Sequence, residues 1–77
     1  MDVFAKVKDI IVSELNCDES LVTMDARLKD DLGADSIDAV QIVMEIEDEF
    51  KITVDDSQAE SMTTVGDVVK YIENNVK

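Results

Sequence analysis

Apolar residues that recur every three or four positions constrain this chain to a helical fold. The first run lies near the N-terminus, with charged residues between its members, and consists of Val3, Val7, Ile10, Ile11 and Leu15. Residues at this spacing share one face of an α-helix, so the run predicts an amphipathic helix with one buried stripe. Asn16 follows directly and tolerates the left-handed backbone conformation in which helices often end. We therefore expect the first helix to close near Asn16.

Two more segments have the same periodicity. A second helix is predicted from about Ser36 to Phe50, and a last helix from Thr64 to about Asn75. The apolar stripe of the last helix consists of Val65, Val68, Val69, Ile72 and Val76. The run that begins at Thr64 has the residue types of a capped helix start, with Asp67 three positions later.

The segments between these helices are shorter or less regular. Ser57 and Glu60 have the spacing of a capping box, which predicts a short helix around them. Residues 17–35 have no helical period, but their spaced leucines suggest that this long loop packs against the bundle. The strand-like run at residues 52–54 is too short to build a sheet. We therefore predict one all-α domain over residues 1–77, a four-helix bundle with three main helices, one short helix and a long loop between the first and second.

Acidic residues dominate the charge of the chain. Nineteen Asp and Glu residues against seven Lys and Arg residues give a formal net charge of −12 and a pI of about 4.1. Nucleic acids and anionic membrane surfaces attract basic patches, so neither is expected as a partner. Basic protein surfaces are the electrostatic complement, although solubility alone would also account for the charge.

The residue types that are missing exclude several activities. The chain has no histidine and one cysteine, Cys17, so it lacks a Ser-His or Cys-His pair, an intrachain disulfide and a zinc site built from these residues. Charged residues interrupt the apolar ones in residues 1–8, which is unlike a signal peptide, and no run approaches the roughly 18 apolar residues of a membrane span. We expect a cytoplasmic, monomeric protein with a reduced thiol, no catalytic residues and no metal ligands.

The second predicted helix has two apolar stripes, whereas a helix at the surface of a small bundle needs one. The larger is the expected core face and consists of Ala39, Ile42, Val43, Ile46 and Phe50. On roughly the opposite side lie Ile37, Val40 and Met44. This second stripe either faces solvent and a partner or, more simply, is covered by the long loop.

Acidic residues surround the second stripe. Between Lys29 and Lys51 there are eight acids and no base: Asp30, Asp31, Asp35, Asp38, Glu45, Glu47, Asp48 and Glu49. Like charges this close on one helix repel each other and lower its stability. An apolar stripe with a rim of one charge sign is typical of a docking face for basic partners.

Ser36 lies where the second helix is predicted to begin. Its simplest role is an N-cap, whose side chain accepts hydrogen bonds from the first backbone N–H groups of the helix. A hydroxyl at this position would also be exposed, and the positive end of the helix suits a phosphodiester. Gly33 allows the loop to turn sharply just before the helix. The residues alone permit both roles.

Two runs of the sequence carry a specific pattern, residues 31–38 (Asp-Leu-Gly-Ala-Asp-Ser-Ile-Asp) and residues 43–50 (Val-Met-Glu-Ile-Glu-Asp-Glu-Phe). They resemble the acyl carrier proteins of dissociated (type II) fatty acid synthesis, and the likeness extends over essentially the whole chain. The resemblance implies that Ser36 receives 4′-phosphopantetheine from coenzyme A through a separate magnesium-dependent phosphopantetheinyl transferase. It also implies that the thiol of this arm carries acyl groups as thioesters and that the protein itself is not an enzyme.

The resemblance further implies two groups of site residues. A docking face for the basic patches of synthases, reductases and acyltransferases would consist of Asp35, Ile37, Asp38, Val40, Gln41, Met44, Glu47 and Asp48. An acyl-chain cavity would be lined by Leu32, Ile42, Val43, Ile46, Ala59, Met62 and Ile72. Several positions depart from the family's common pattern; among them, Ile37 stands where leucine is usual and Gln41 where an acid is frequent.

Two other functions are consistent with the same residues. The first is the same carrier chemistry in polyketide assembly, aminoacyl loading or D-alanylation of cell-wall polymers. The second, of a different class, is an acidic protein-binding module without a prosthetic group. The acids near Gly33 do not follow the spacing of a calcium loop. We therefore expect divalent cations to bind weakly and diffusely, and to raise the melting temperature by relieving repulsion among residues 30–49.

Overall fold

The computed structural model describes residues 2–75, which form four α-helices and one 3₁₀ turn at Glu19–Leu21. The helices are α1 (Val3–Leu15), α2 (Ser36–Phe50), α3 (Asp56–Ser61) and α4 (Val65–Asn75). Within these residues there is no strand, and a single antiparallel bridge joins Arg27 to Thr64. The predicted all-α fold, with three main helices, one short helix and a long first loop, is confirmed.

The main helices begin and end at residues whose chemistry suits those positions. The carboxylate of Asp2 caps α1 by accepting a hydrogen bond from Ala5 N at 3.2 Å. Asn16 ends α1 in the left-handed conformation (φ 54°), as predicted. Lys51 ends α2 in the same conformation (φ 57°).

A single apolar core joins α1, α2, α4 and the long loop. Its most deeply buried side chains are Val7, Ile11, Val22, Ile42, Val65 and Ile72. Burying a Val or Ile side chain stabilises a fold by about 1.5–3 kcal/mol, so an aliphatic core suffices for a domain of this size. The described part of the predicted α4 stripe is buried throughout. Val76, predicted to continue that stripe, lies outside the described residues.

The long loop lies against the bundle and is tied to the start of α4. Val65 N donates to Ala26 O at 2.9 Å, and Gly66 N donates to Met24 O at 2.8 Å. Of the leucines expected to anchor the loop, Leu28 is buried, whereas Leu21 is mostly exposed. The packing of the loop is therefore as predicted, although fewer leucines anchor it than expected.

The two predicted capping boxes have different outcomes. Ser57 lies inside α3, which begins at Asp56 and whose N-cap, Asp55, makes no side-chain capping bond, so the capping box predicted at Ser57 is wrong. At α4 the prediction is confirmed, because Thr64 Oγ1 accepts from Asp67 N at 3.1 Å and the Asp67 carboxylate accepts from Thr64 N at 3.2 Å. The hydrogen bond from the Thr64 N–H is the largest cause of a lowered pKa at Asp67.

Candidate functional site

Ser36 is the first residue of α2, and its neighbour caps the helix. Asp35 Oδ1 accepts a hydrogen bond from Asp38 N at 2.8 Å, and Asp38 Oδ2 accepts one from Asp35 N at 3.3 Å. This reciprocal pair is a capping box, so the simplest prediction for Ser36, that it is the N-cap, is wrong. Ser36 is exposed, and within residues 2–75 its hydroxyl makes no hydrogen bond.

The segment that leads into α2 is fixed in place. Gly33 has φ 73°, a left-handed conformation that glycine adopts at little cost. Ala34 is buried, and its N–H donates to Leu28 O at 2.9 Å. Because the loop is anchored on the core immediately before the helix, Asp35 and Ser36 are held at a defined position on the surface.

The second apolar stripe of α2 faces solvent. Ile37, Val40 and Met44 are 71%, 56% and 55% exposed, respectively. The alternative that the long loop covers this stripe is therefore wrong. The opposite face supplies the core, with Ile42, Ile46 and Phe50 buried and Ala39 and Val43 half-buried.

Several of the acids near this stripe have partners in the fold. Asp30 and Asp31 form ion pairs with Arg27 at 3.5 and 3.4 Å, and Glu49 forms one with Lys6 of α1 at 3.1 Å. The backbone N–H of Arg27, helped by its guanidinium, lowers the pKa of Asp31. Within residues 2–75, those of the eight acids that form no ion pair therefore lie on α2 or at its N-cap.

The eight residues predicted for the docking face lie on α2 or at its N-cap. Six of them are exposed, and Asp38 and Glu47 are half-buried. Each half-buried carboxylate accepts a backbone hydrogen bond, Asp38 from Asp35 N and Glu47 from Val54 N at 2.8 Å. The structure thus brings the predicted face together as one apolar stripe with acidic neighbours.

One acidic neighbour of this face comes from α1 and was missed by the sequence reasoning. The pKa of Glu14 is raised, first by loss of hydration and then by hydrogen bonding to and repulsion from Glu45, with a smaller repulsion from Asp38. Glu14 therefore adds negative charge beside α2. No local sequence pattern identifies it, because the proximity depends on how α1 packs against α2.

A cavity of about 550 Å³ lies between α2, α3 and α4. Six of the seven residues predicted to line an acyl-chain cavity line this one: Ile42, Val43, Ile46, Ala59, Met62 and Ile72. Leu32 is not among the lining residues and packs, half-buried, against the core. Ser36 is a lining residue, and so are Val54 and Tyr71, which the sequence reasoning did not assign. The exposed serine and the apolar cavity are thus adjacent.

Two further features concern membranes and metals. No helix within residues 2–75 combines the length and the apolar character needed to cross a membrane. In the same part of the chain, no group of three or more Asp, Glu or Cys side chains is arranged to hold a metal ion.

The sequence matches the protein family described as phosphopantetheine attachment site over residues 5–72. This match defines the class of the molecule, a helical domain that carries 4′-phosphopantetheine. The residues present fit that group, because a phosphodiester needs an accessible hydroxyl and is favoured at a helix N-terminus, as at Ser36. The adjacent apolar cavity is also open to a group attached there.

Individual relatives narrow the class. The chain is 53% identical over 75 residues to the acyl carrier protein of Thermotoga maritima, which covers 97% of this chain and 93% of that protein. A putative acyl carrier protein from Mycobacterium tuberculosis superposes with a TM-score of 0.89 at 33% identity, covering 94% of this chain and 96% of the other. The acyl carrier protein of Enterococcus faecalis gives 0.82 at 42% identity, covering 96% and 94%. The chain belongs to the acyl carrier protein family.

Proposed function

We propose that Ser36 is the attachment point of 4′-phosphopantetheine and that the protein carries acyl chains as thioesters for the enzymes of fatty acid synthesis. The observation that carries this proposal is the division of roles at the start of α2. Asp35 caps the helix, and the Ser36 hydroxyl remains exposed beside the cavity. Esterification of Ser36 therefore removes no hydrogen bond that the helix start needs.

The attachment reaction uses a nucleophile from this chain and catalysis from another protein. The Ser36 oxygen attacks the pantetheine-bearing phosphorus of coenzyme A, the pyrophosphate bond breaks, adenosine 3′,5′-bisphosphate leaves, and the hydroxyl proton passes to a base of the transferase. The chain has no histidine to pair with this serine, which is consistent with catalysis by a separate phosphopantetheinyl transferase. The bound arm supplies the thiol on which acyl groups are carried.

The partners we propose are this transferase and the fatty acid synthesis enzymes, each presenting basic residues around an apolar docking patch. The exposed stripe of α2 supplies apolar area, and its acidic neighbours complement Lys and Arg. A net charge of −12 would also speed encounter with such patches through long-range attraction. The proposal treats residues 1–77 as one monomeric carrier domain, and the cytoplasmic location stays a prediction.

The cavity is proposed to shelter the acyl chain between encounters. Its volume of about 550 Å³ lies within the range of roughly 300–1,000 Å³ for small-molecule sites. Its lining is mainly aliphatic, and the Ser36 side chain belongs to it. A chain on an arm at Ser36 would thus exchange solvent contact for apolar contact.

Intact-mass spectrometry after incubation with coenzyme A, Mg²⁺ and a promiscuous phosphopantetheinyl transferase tests the attachment. We expect the wild type to gain the mass of one phosphopantetheine and Ser36→Ala to gain nothing. Ser57→Ala is the matched control, since Ser57 is another exposed serine near a helix start, and it should be modified like the wild type. An unmodified wild type would refute the proposal, and a modified Ser36→Ala would refute the site.

The pathway needs a separate measurement. Thioesters released from the protein isolated from cells should be fatty acyl chains. Polyketide intermediates, amino acids or D-alanine on the thiol would instead establish the same carrier chemistry in another pathway. Absence of the arm from protein isolated from cells would favour the acidic binding module.

A further inference from the structure

The wall of the cavity formed by α3 is weakly held compared with the other walls. Asp56, Ala59 and Glu60 of α3 line the cavity, yet α3 has only six residues and none of them is buried. Its N-cap, Asp55, makes no side-chain capping bond. Short helices without buried contacts are marginal, so the position of α3 depends on the segment that precedes it.

Besides the backbone bond from Ile52 N to Glu47 O at 3.3 Å, two side-chain hydrogen bonds hold that segment, and they end on adjacent residues. Glu47 Oε2 of α2 accepts from Val54 N at 2.8 Å, and Tyr71 Oη of α4 donates to Thr53 O at 3.0 Å. Glu47, Val54 and Tyr71 all line the cavity. The segment that leads into α3 is therefore hydrogen-bonded across the cavity to α2 and to α4.

Glu47 belongs to the docking face as well as to this tie. It lies three positions after Met44 and seven after Val40, so the three residues share one side of α2. The exposed apolar stripe thus leads directly to the carboxylate that holds Val54. A basic side chain of a protein docked over Val40 and Met44 would come within reach of that carboxylate.

We propose that the Glu47 carboxylate is a latch, which holds Val54 and hence α3 in the free protein and is taken over by a Lys or Arg of a docked partner. A guanidinium or ammonium adds the attraction between two full charges to the hydrogen bond with the carboxylate, which a neutral backbone N–H cannot supply. Capture of the carboxylate would leave Val54 N without its acceptor, and of these two side-chain bonds the segment before α3 would keep only the one from Tyr71. Docking is thereby coupled to opening of the cavity wall. The inference rests on the proposed function, in which that cavity holds the acyl chain.

Amide hydrogen exchange, measured residue by residue by NMR, tests the latch in the protein alone and saturated with a purified phosphopantetheinyl transferase without coenzyme A. In the free protein, Glu47→Ala should speed exchange at Val54 by about tenfold or more, because a hydrogen bond to a charged acceptor is lost. The buried core should keep this variant folded, because Glu47 is not part of it. Glu73→Ala, which removes an exposed acid of α4, is the matched control and should leave Val54 exchange unchanged. Exchange at Val54 within twofold of the wild type in Glu47→Ala would overturn the proposal.

Glu47→Gln separates the charge from the hydrogen bond. Its amide oxygen can still accept from Val54 N, but it offers no charge to a basic partner. Saturation with the transferase should speed Val54 exchange in the wild type and leave it unchanged in Glu47→Gln. Slower or unchanged exchange in the saturated wild type would show that docking does not release the latch.

The outcome of this experiment is independent of arm attachment. The same exchange measurements should give the same result in Ser36→Ala, because the latch involves no atom of Ser36. Failure of the mass assay at Ser36 would therefore leave the latch standing, and failure of the exchange experiment would leave the attachment site standing.

Discussion

Replacing Asp35 by Ala should destabilise the protein, whereas replacing Ser36 by Ala should leave its stability nearly unchanged. Asp35 accepts the 2.8 Å hydrogen bond from Asp38 N, and loss of such an N-cap costs about 0.5–2 kcal/mol. Removing a negative charge from the acidic start of α2 offsets a few tenths of a kcal/mol of that loss. The net effect of about 1 kcal/mol should lower the melting temperature by about 4–8 °C in a domain of this size.

Ser36→Ala removes an exposed hydroxyl that makes no hydrogen bond within residues 2–75, so its effect should stay within about 0.5 kcal/mol. Urea unfolding followed by far-ultraviolet circular dichroism measures the free energy of unfolding of both variants in the unmodified protein. Asp35→Asn is the control, because asparagine caps as well as aspartate and should keep most of the stability. The reasoning fails if Ser36→Ala loses as much stability as Asp35→Ala.

Three further outcomes follow from other contacts. Gly66→Ala should destabilise the folded protein by about 1–3 kcal/mol, because an added Cβ would lie 2.9 Å from Met24 O, a backbone atom that cannot easily move aside. Thermal unfolding measures this effect, and an unchanged melting temperature would contradict the close approach. Hydrogen bonds, first from Thr64 N, lower the pKa of Asp67 in the folded protein. The ionised carboxylate therefore stabilises the fold at pH values above the ordinary pKa of 3.8, and this stabilisation is lost as the pH falls through the lower pKa of the folded state. The melting-temperature gap between the wild type and Asp67→Asn should therefore narrow on acidification, and a constant gap would count against the assignment. Millimolar Mg²⁺ should raise the melting temperature only as far as ionic strength does, because residues 2–75 hold no preformed metal cluster; a larger rise than in matched NaCl would indicate a specific site.

The identity and extent of the helices could be predicted from the sequence because helix formation leaves a local, periodic pattern. The predicted ends at Asn16 and Phe50 agree with the structure. The two stripes of α2 could also be predicted, since opposite faces of a helix follow from spacing alone. Their burial agrees with the prediction, as Ile46 is buried and Ile37 exposed.

The predictions that failed concern choices between chemically similar neighbours. Asp35 and Ser36 are both good N-caps, and the sequence contains no signal that separates two cap positions one residue apart. The loop anchored by Ala34 on the core sets the position at which α2 begins, so the cap falls on Asp35. The same limit applies to Ser57, which has the form of a cap but is the second residue of a helix that begins at Asp56.

The sequence by itself determined an all-α chain with an acidic helix that has a second apolar stripe, because periodicity and charge are properties of consecutive residues. Only the tertiary structure decided which residues meet across the gaps between helices. Glu14 lies beside Glu45, Glu47 accepts from Val54 N, and Leu32 is left out of the cavity that Ser36 helps to line. These relations depend on how far apart the helices pack, and that distance is set jointly by every side chain of the core.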